Sequence, residues 1–152
     1  MVKIFLNNCW YFMTKIEPQT DSIMQKLRAA NLRPTRQRVM IANLLFDGHD
    51  KHISPEMLFD TITKSGETIA LGTIYNTLRH FADAGLLSQH YGLGDKLVYD
   101  TNISAHHHFL DSDTGELTDV PHGDLAVSGL PNLPDGFDLD AVDVTIRIKR
   151  SR

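Results

Sequence analysis

The chain has 152 residues, enough for one domain of ordinary size or two small ones and too few for a barrel enzyme. Hydrophobic residues make up 41% and charged residues 22%, as in ordinary globular proteins, which argues against a disordered chain. The 15 lysines and arginines stand against 19 acids, and this net charge of −4 taken alone argues against a nucleic-acid binder.

The charge is distributed unevenly along the chain. Up to Asp100 there are 11 basic and 10 acidic residues, and after it there are 4 basic and 9 acidic residues. Residues 22–46 contain five basic residues and no acid. The sequence therefore predicts a near-neutral N-terminal part with a basic patch, and an acidic C-terminal part that faces away from any bound DNA.

The single cysteine, Cys9, cannot form an internal disulfide and excludes a structural zinc held by four thiolates. Residues 1–20 are predicted to be a flexible leader, with Met1 and Met13 as alternative starts. No run approaches the roughly 20 apolar residues of a membrane-spanning helix, and no signal-peptide cleavage site follows the start. We therefore expect a cytoplasmic protein that has no membrane partner.

Helices are predicted over residues 20–31, 34–48 and 54–66, because apolar residues recur at helical spacing between capping and stop signals. A fourth helix over residues 71–85 has an apolar face made of Leu71, Ile74, Leu78 and Phe81. The segments LLSQHYG and KLVYDT then predict a β-hairpin around residues 92–95. This order predicts a winged-helix DNA-binding domain over residues 21–101.

Two groups of residues in this domain are candidates for DNA contact. The polar face of the fourth helix suits reading of base edges in the major groove. The start of the second helix suits phosphate binding, since a helix N-terminus and guanidinium groups both favour an anion. An ordinary solvated helix face and a charged turn are the alternative interpretations. The candidate residues are Thr73, Tyr75, Asn76 and Arg79 in the first group, and Arg33, Thr35, Arg36 and Arg38 in the second.

After Asp100 the pattern changes to strands. HHHFLD and GELTDV predict a strand pair around an Asp-Thr-Gly turn, and residues 142–148 alternate apolar and polar side chains. Residues 121–136 are predicted as a loop with at most one short helix near residues 123–129. Because three short strands have little core of their own, residues 102–152 are predicted to be a dimerisation domain. The expected fold class is α+β.

The run AHHHF is the candidate for a bound ion. On a strand His106 and His108 share one side, which allows both imidazoles to reach a single ion, while His107 faces the other side. Asp100 and His52 are the expected further ligands, and such nitrogen and oxygen donors suit zinc, manganese or iron. Haem iron held by residues 106–108 is a second possibility, and an incidental surface histidine run is a third.

In chain order, the segments LRPTRQRVMI, HISPEML, LGTIYNTLRHFADAGLL, LVYD and HHHF resemble the ferric uptake regulator family. The histidine run and the C-terminal segment LPNLPDGFDLDAVDVTIRIKR are similar to its iron response regulator branch. The resemblance implies a dimeric metal-responsive transcription factor, expected to act as a repressor at some promoters at least, with an N-terminal winged helix and a C-terminal α/β dimerisation domain. It implies that His52, Asp100, His106 and His108 bind a metal ion such as Fe²⁺, Mn²⁺ or Zn²⁺.

The branch further implies haem binding at His106, His107 and His108, release of operator DNA by haem, and control of iron- and haem-responsive genes. Asp111 and Thr114 stand where the family usually has two zinc-binding cysteines, so a structural zinc is not expected. Two alternatives remain for the function. A metal-dependent hydrolase is disfavoured because no general base is evident near the ligands, and the chain is therefore expected not to be an enzyme. The other is a winged-helix module that binds proteins.

Overall fold

The computed structural model describes residues 20–151. The predicted leader over residues 1–20 lies outside the described residues except for its last position, and so do Cys9 and both candidate starts. Within the described range, no helix combines the length and the apolar composition needed to cross a bilayer.

The first half of the chain forms the four predicted helices. Helix α1 covers residues 20–29, α2 covers Arg36–Leu45, α3 covers Pro55–Lys64 and α4 covers Leu71–Asp83. Thr35 caps α2 by accepting a hydrogen bond from the backbone N–H of Arg38 at 3.3 Å. Ser54 caps α3 in the same way through the N–H of Met57 at 3.2 Å. Both caps satisfy backbone donors that the helix itself leaves unpaired.

The helices pack around one hydrophobic core, to which the apolar faces of α1 to α4 all contribute. Ile74, Leu78 and Phe81 of α4 have no exposed surface, as the periodicity predicts. Leu71 was predicted to lie on the same buried face, and this prediction is wrong, since 37% of its surface is exposed. It occupies the first residue of α4, where the helix extends past the core, so the fourth position of the predicted stripe faces solvent.

A small antiparallel sheet follows α4 and confirms the predicted hairpin. Strand β2 (Ser88–Tyr91) pairs with β3 (Leu97–Asp100), and β3 also pairs with β1 (His52–Ile53), which gives the order β1-β3-β2. Strand β1 is not predicted from the sequence, because two residues are too few to show an alternation of apolar and polar side chains. Its pairing sets His52 directly opposite Asp100.

The second sheet contains the strands predicted after Asp100. Strand β4 (His108–Asp111) lies between β5 (Leu117–Asp119), which is antiparallel to it, and β6 (Thr145–Ile148), which is parallel to it. The described residues 102–151 contain no helix, so the segment between β5 and β6 is a long loop. Ile146 and Ile148 lie on the predicted buried face of β6. Ile146 is only half-buried and Ile148 is 43% exposed, so a single chain leaves this face partly open to solvent.

Candidate functional site

Two strand pairings bring histidines and carboxylates together between the two sheets. The β1–β3 pairing sets His52 beside Asp100, and the β4–β5 pairing sets His108 beside Asp119. His106 lies two residues before the start of β4 and turns its ring to the same side as His108. We call these five residues the five-donor cluster.

The donor atoms of the cluster converge on one point. The Nε2 atoms of His52, His106 and His108 lie 3.4, 3.0 and 3.5 Å from Oδ2 of Asp100. The same three nitrogens lie 3.0, 3.2 and 3.8 Å from Oδ1 of Asp119. All five donor atoms lie within 4.8 Å of one another. The cluster therefore presents three nitrogens and two oxygens to a single small volume.

These atoms have the environment of metal ligands. Nε2 of His52, Nε2 of His106 and Oδ1 of Asp119 are buried and make no hydrogen bond within the described part of the chain. Buried polar atoms without partners are costly and rare in folded proteins. Two ligands at right angles, each about 2.1 Å from an ion, are about 3 Å apart, close to the spacing seen here. The residues present thus fit a divalent cation.

Charge and burial set the protonation of the cluster. Burial opposes ionisation of Asp100, but the adjacent His108 and His52 rings and the hydrogen bond from the Asn102 backbone outweigh it, so the pKa of Asp100 lies well below its usual range. Burial also disfavours the charged form of His106. The hydrogen bond to the Ser104 carbonyl and the nearby carboxylates outweigh burial here, and the pKa of His106 lies above its usual value.

Because the pKa of His106 is raised, protons should compete with a metal ion for its Nε2 at a higher pH than they do at an ordinary imidazole. A metal binds only the neutral ring, so affinity should be highest above this pKa and should fall as the pH drops through it. Asp100 stays ionised throughout because its pKa is lowered. Titration of Mn²⁺ between about pH 8 and about pH 6 should show affinity falling by up to about tenfold per pH unit. Constant affinity over this range would contradict the prediction.

Four of the five cluster residues are those predicted from the sequence, and Asp119 is the one that was missed. A signal for it exists in the sequence. If the hairpin HHHFLD–GELTDV closes at the Asp-Thr-Gly turn, the strand register pairs Asp119 with His108, as observed. The same register explains why the neighbouring Thr118 is exposed and points away from the cluster.

The histidine run does not act as one group. His106 and His108 point into the five-donor cluster, whereas Nδ1 of His107 accepts a hydrogen bond from the backbone N–H of Val144 at 3.4 Å. His107 therefore holds the chain just before β6 instead of pointing into the five-donor cluster. His90 packs against His108, with ring centroids 4.4 Å apart, but it is not part of the cluster.

The predicted phosphate-binding residues surround the N-terminus of α2. Arg36 is 85% exposed in its side chain and pairs with Glu67 at 3.0 Å. Arg38 donates to the Arg33 carbonyl at 3.1 Å and to Nδ1 of His80 at 3.2 Å. The hydroxyl of Thr35 is engaged in the helix cap. An exposed pair such as Arg36–Glu67 contributes little stability, so Glu67 holds the guanidinium of Arg36 only weakly.

The predicted base-reading residues lie together on α4. Tyr75, Asn76 and Arg79 are exposed on this helix, and Thr73 is half-buried. The hydroxyl of Tyr75 donates to Oε1 of Glu56 at the start of α3. The structure thus presents the four predicted side chains on one helix, with Tyr75 held by a neighbouring element.

The chain is similar in sequence to proteins of one family. The model of the ferric uptake regulator family matches residues 29–146. The ferric uptake regulation protein of Vibrio anguillarum is 36% identical over 94 residues, which are 61% of this chain and 63% of the relative, so the match spans less than two thirds of the relative's length. The corresponding protein of Pseudomonas aeruginosa is 35% identical over 101 residues, which are 66% of this chain and 75% of the relative.

Solved structures agree with the fold. The Vibrio cholerae ferric uptake regulator superposes with a TM-score of 0.66 at 26% identity, covering 84% of this chain and 98% of that one. The Pseudomonas aeruginosa ferric uptake regulator, solved with manganese, gives a TM-score of 0.63 at 25% identity, covering 86% of this chain and 98% of that one.

Proposed function

Because the chain belongs to the ferric uptake regulator family, we propose that it is a metal-responsive transcription regulator that binds operator DNA as a homodimer. The observation that carries this proposal is the five-donor cluster. Two of its ligands, His52 and Asp100, come from the winged-helix part, and the other three come from or directly precede the second sheet. An ion held there joins the two parts and fixes how they are oriented.

Residues 21–101 would then be the DNA-binding domain, and residues 102–152 the dimerisation and sensing domain. Support for a dimer comes from the poor core of the second part, in which Leu110, Leu117 and Val120 are the buried hydrophobic residues among those described. Phe137 is 70% exposed in the same part. Further exposed hydrophobic side chains there are Ile103, Val127, Leu130, Leu133, Leu139 and Ile148. A second copy of the chain would cover such a surface.

The ion we propose is Mn²⁺ or Fe²⁺, with Zn²⁺ as a competitor. Three imidazole nitrogens and two carboxylate oxygens leave a sixth position free, which suits ions that take five or six ligands. The manganese in the Pseudomonas aeruginosa relative supports this choice. When bound, the ion would supply positive charge to balance the buried carboxylate of Asp100 and the half-buried carboxylate of Asp119.

A duplex-binding experiment tests the function. The purified chain is titrated onto a duplex carrying its own upstream region, with and without Mn²⁺, at several salt concentrations. Because the ion orders the two parts, we expect it to raise DNA affinity about 5- to 150-fold. Affinity should fall steeply with salt, whereas a protein-binding module would show little duplex binding at all. An equal affinity with and without the ion would refute metal control.

Substitutions on α4 and α2 separate base reading from phosphate binding. Asn76→Ala and Arg79→Ala should each cost about 1–3 kcal/mol on the cognate duplex and relax sequence preference. Arg36→Ala should weaken binding to all duplexes alike and reduce the salt slope by about 1. Lys149→Ala, which removes the same charge in the second part of the chain, is the control and should leave binding unchanged. A sequence-specific loss in this control would contradict the assignment of the DNA-binding surface.

Haem sensing at His106, His107 and His108, and membership of the iron response regulator branch, stay predictions. No contact in the described part of the chain favours haem over a metal ion, because the cluster already engages two of these rings and the Val144 backbone engages the third. A haem titration followed at the Soret band tests the prediction: the His106, His107, His108 triple alanine variant should lose the shift. A hydrolase is disfavoured because members of this family are transcription regulators.

A further inference from the structure

One residue outside the five-donor cluster contacts two of its members directly and a third through Ser104. Asn102 lies in the segment that joins β3 to β4, residues 101–107, which we call the linker segment. It is half-buried, and both its backbone and its side chain make hydrogen bonds. Its carbonyl also accepts from the Ser88 hydroxyl at 3.3 Å, which attaches the linker segment to β2. The position of Asn102 is therefore fixed from several sides.

In each carboxylate of the cluster, Asn102 donates a hydrogen bond to the oxygen that points away from the histidines. Its backbone N–H donates to Oδ1 of Asp100 at 2.8 Å, while Oδ2 of that residue faces the histidines. Its side-chain amide donates to Oδ2 of Asp119 at 3.5 Å, while Oδ1 faces the histidines. Each carboxylate thus has one oxygen bound to Asn102 and the other left for an ion.

The same residue acts on His106 through Ser104. The side-chain oxygen of Asn102 accepts from the Ser104 backbone N–H at 3.1 Å and from its hydroxyl at 2.6 Å. The Ser104 carbonyl in turn accepts from Nδ1–H of His106 at 2.7 Å. This bond sets the tautomer, so that Nε2 is the free ligand nitrogen, and it fixes the orientation of the ring.

We propose that Asn102 is a positioning residue of the metal centre, which orients Asp100, Asp119 and His106 and holds both carboxylates to one ligand oxygen each. The inference rests on the proposed metal-binding function. Because Asn102 holds the second oxygen of Asp100 and of Asp119, each carboxylate binds the ion through one oxygen only. The protein then supplies five donor atoms to the ion. Asn102 thereby sets the coordination number and the ion preference as well as the affinity.

The test uses Co²⁺ as a spectroscopic probe on the full chain. The visible absorption of bound Co²⁺ reports coordination number, which a loss of overall stability does not alter. We expect Asn102→Ala to bind Co²⁺ roughly 10- to 100-fold more weakly than the unsubstituted chain, with a changed spectrum. Asn132→Ala, at an exposed asparagine in the loop before β6, is the matched control and should keep both affinity and spectrum.

A second variant keeps the proposal testable if Asn102→Ala fails to fold. Asn102→Asp retains the side-chain oxygen that holds Ser104 and the N–H that holds Asp100, but it places a carboxylate against Asp119. It should also bind Co²⁺ at least about tenfold more weakly. Unchanged affinity and spectrum in the folded variants would overturn the inference. Failure of the unsubstituted chain to bind Co²⁺ would instead overturn the proposed metal site itself.

Discussion

Asp100→Asn is expected to lower the affinity for Mn²⁺ by more than about a hundredfold, a larger loss than substitution of a supporting residue causes. Asp100 is fully buried, and its Oδ2 lies within 3.5 Å of three histidine nitrogens. The asparagine has nearly the same shape, so the substitution removes charge with little change in packing. Its single oxygen either accepts the hydrogen bond from the Asn102 backbone, which leaves an amide nitrogen that cannot bind an ion, or faces the histidines. An uncharged amide oxygen is a weak ligand for a divalent ion.

Isothermal titration calorimetry measures this loss directly. Asp111→Asn is the matched control, because Asp111 is the last residue of β4 as Asp100 is of β3, but its carboxylate caps the following turn and is not part of the cluster. Asp100→Asn should also make duplex binding insensitive to Mn²⁺, since the ion can no longer join the two parts. An affinity within about tenfold of the unsubstituted chain would show that Asp100 is not a ligand.

Leu78→Ala is expected to lower the free energy of unfolding by about 2–5 kcal/mol, the largest stability effect predicted here. Leu78 has no exposed surface and lies at the centre of the core that α4 shares with the other helices. Truncation leaves a cavity that close-packed neighbours fill only in part. Because small domains are stable by only about 5–15 kcal/mol, this loss is a large fraction of the total.

Urea denaturation without metal gives the free energy of unfolding for each variant. Leu71→Ala is the control, since the sequence pattern assigns Leu71 to the same stripe but the structure exposes it. It should cost less than about 1 kcal/mol. Equal losses at the two positions would mean that the first turn of α4 is buried in solution, contrary to the structure.

Sequence patterns predicted most of the local structure of this chain. Ser54 and Gly66 flank α3 as predicted, because helix capping and a left-handed backbone depend on local sequence. Gly66 has a φ of +86°, which other residues rarely adopt. Apolar periodicity likewise predicted the buried face of α4 beyond its first turn. Leu71 escaped the pattern, because burial at a helix end depends on how far the neighbouring helices extend.

The sequence by itself determined the order of the elements apart from β1, the uneven charge and four of the five clustered residues, because helix caps, strand alternation and an H-x-H pair act over a few neighbours. Only the tertiary structure decided that Asp119 joins them, that His107 accepts a hydrogen bond from the Val144 backbone and that Asn102 holds both carboxylates. These facts depend on strand register and on the path of a connecting segment. A metal centre is a set of distances between atoms on separate elements, and such distances exist only once the strands have paired.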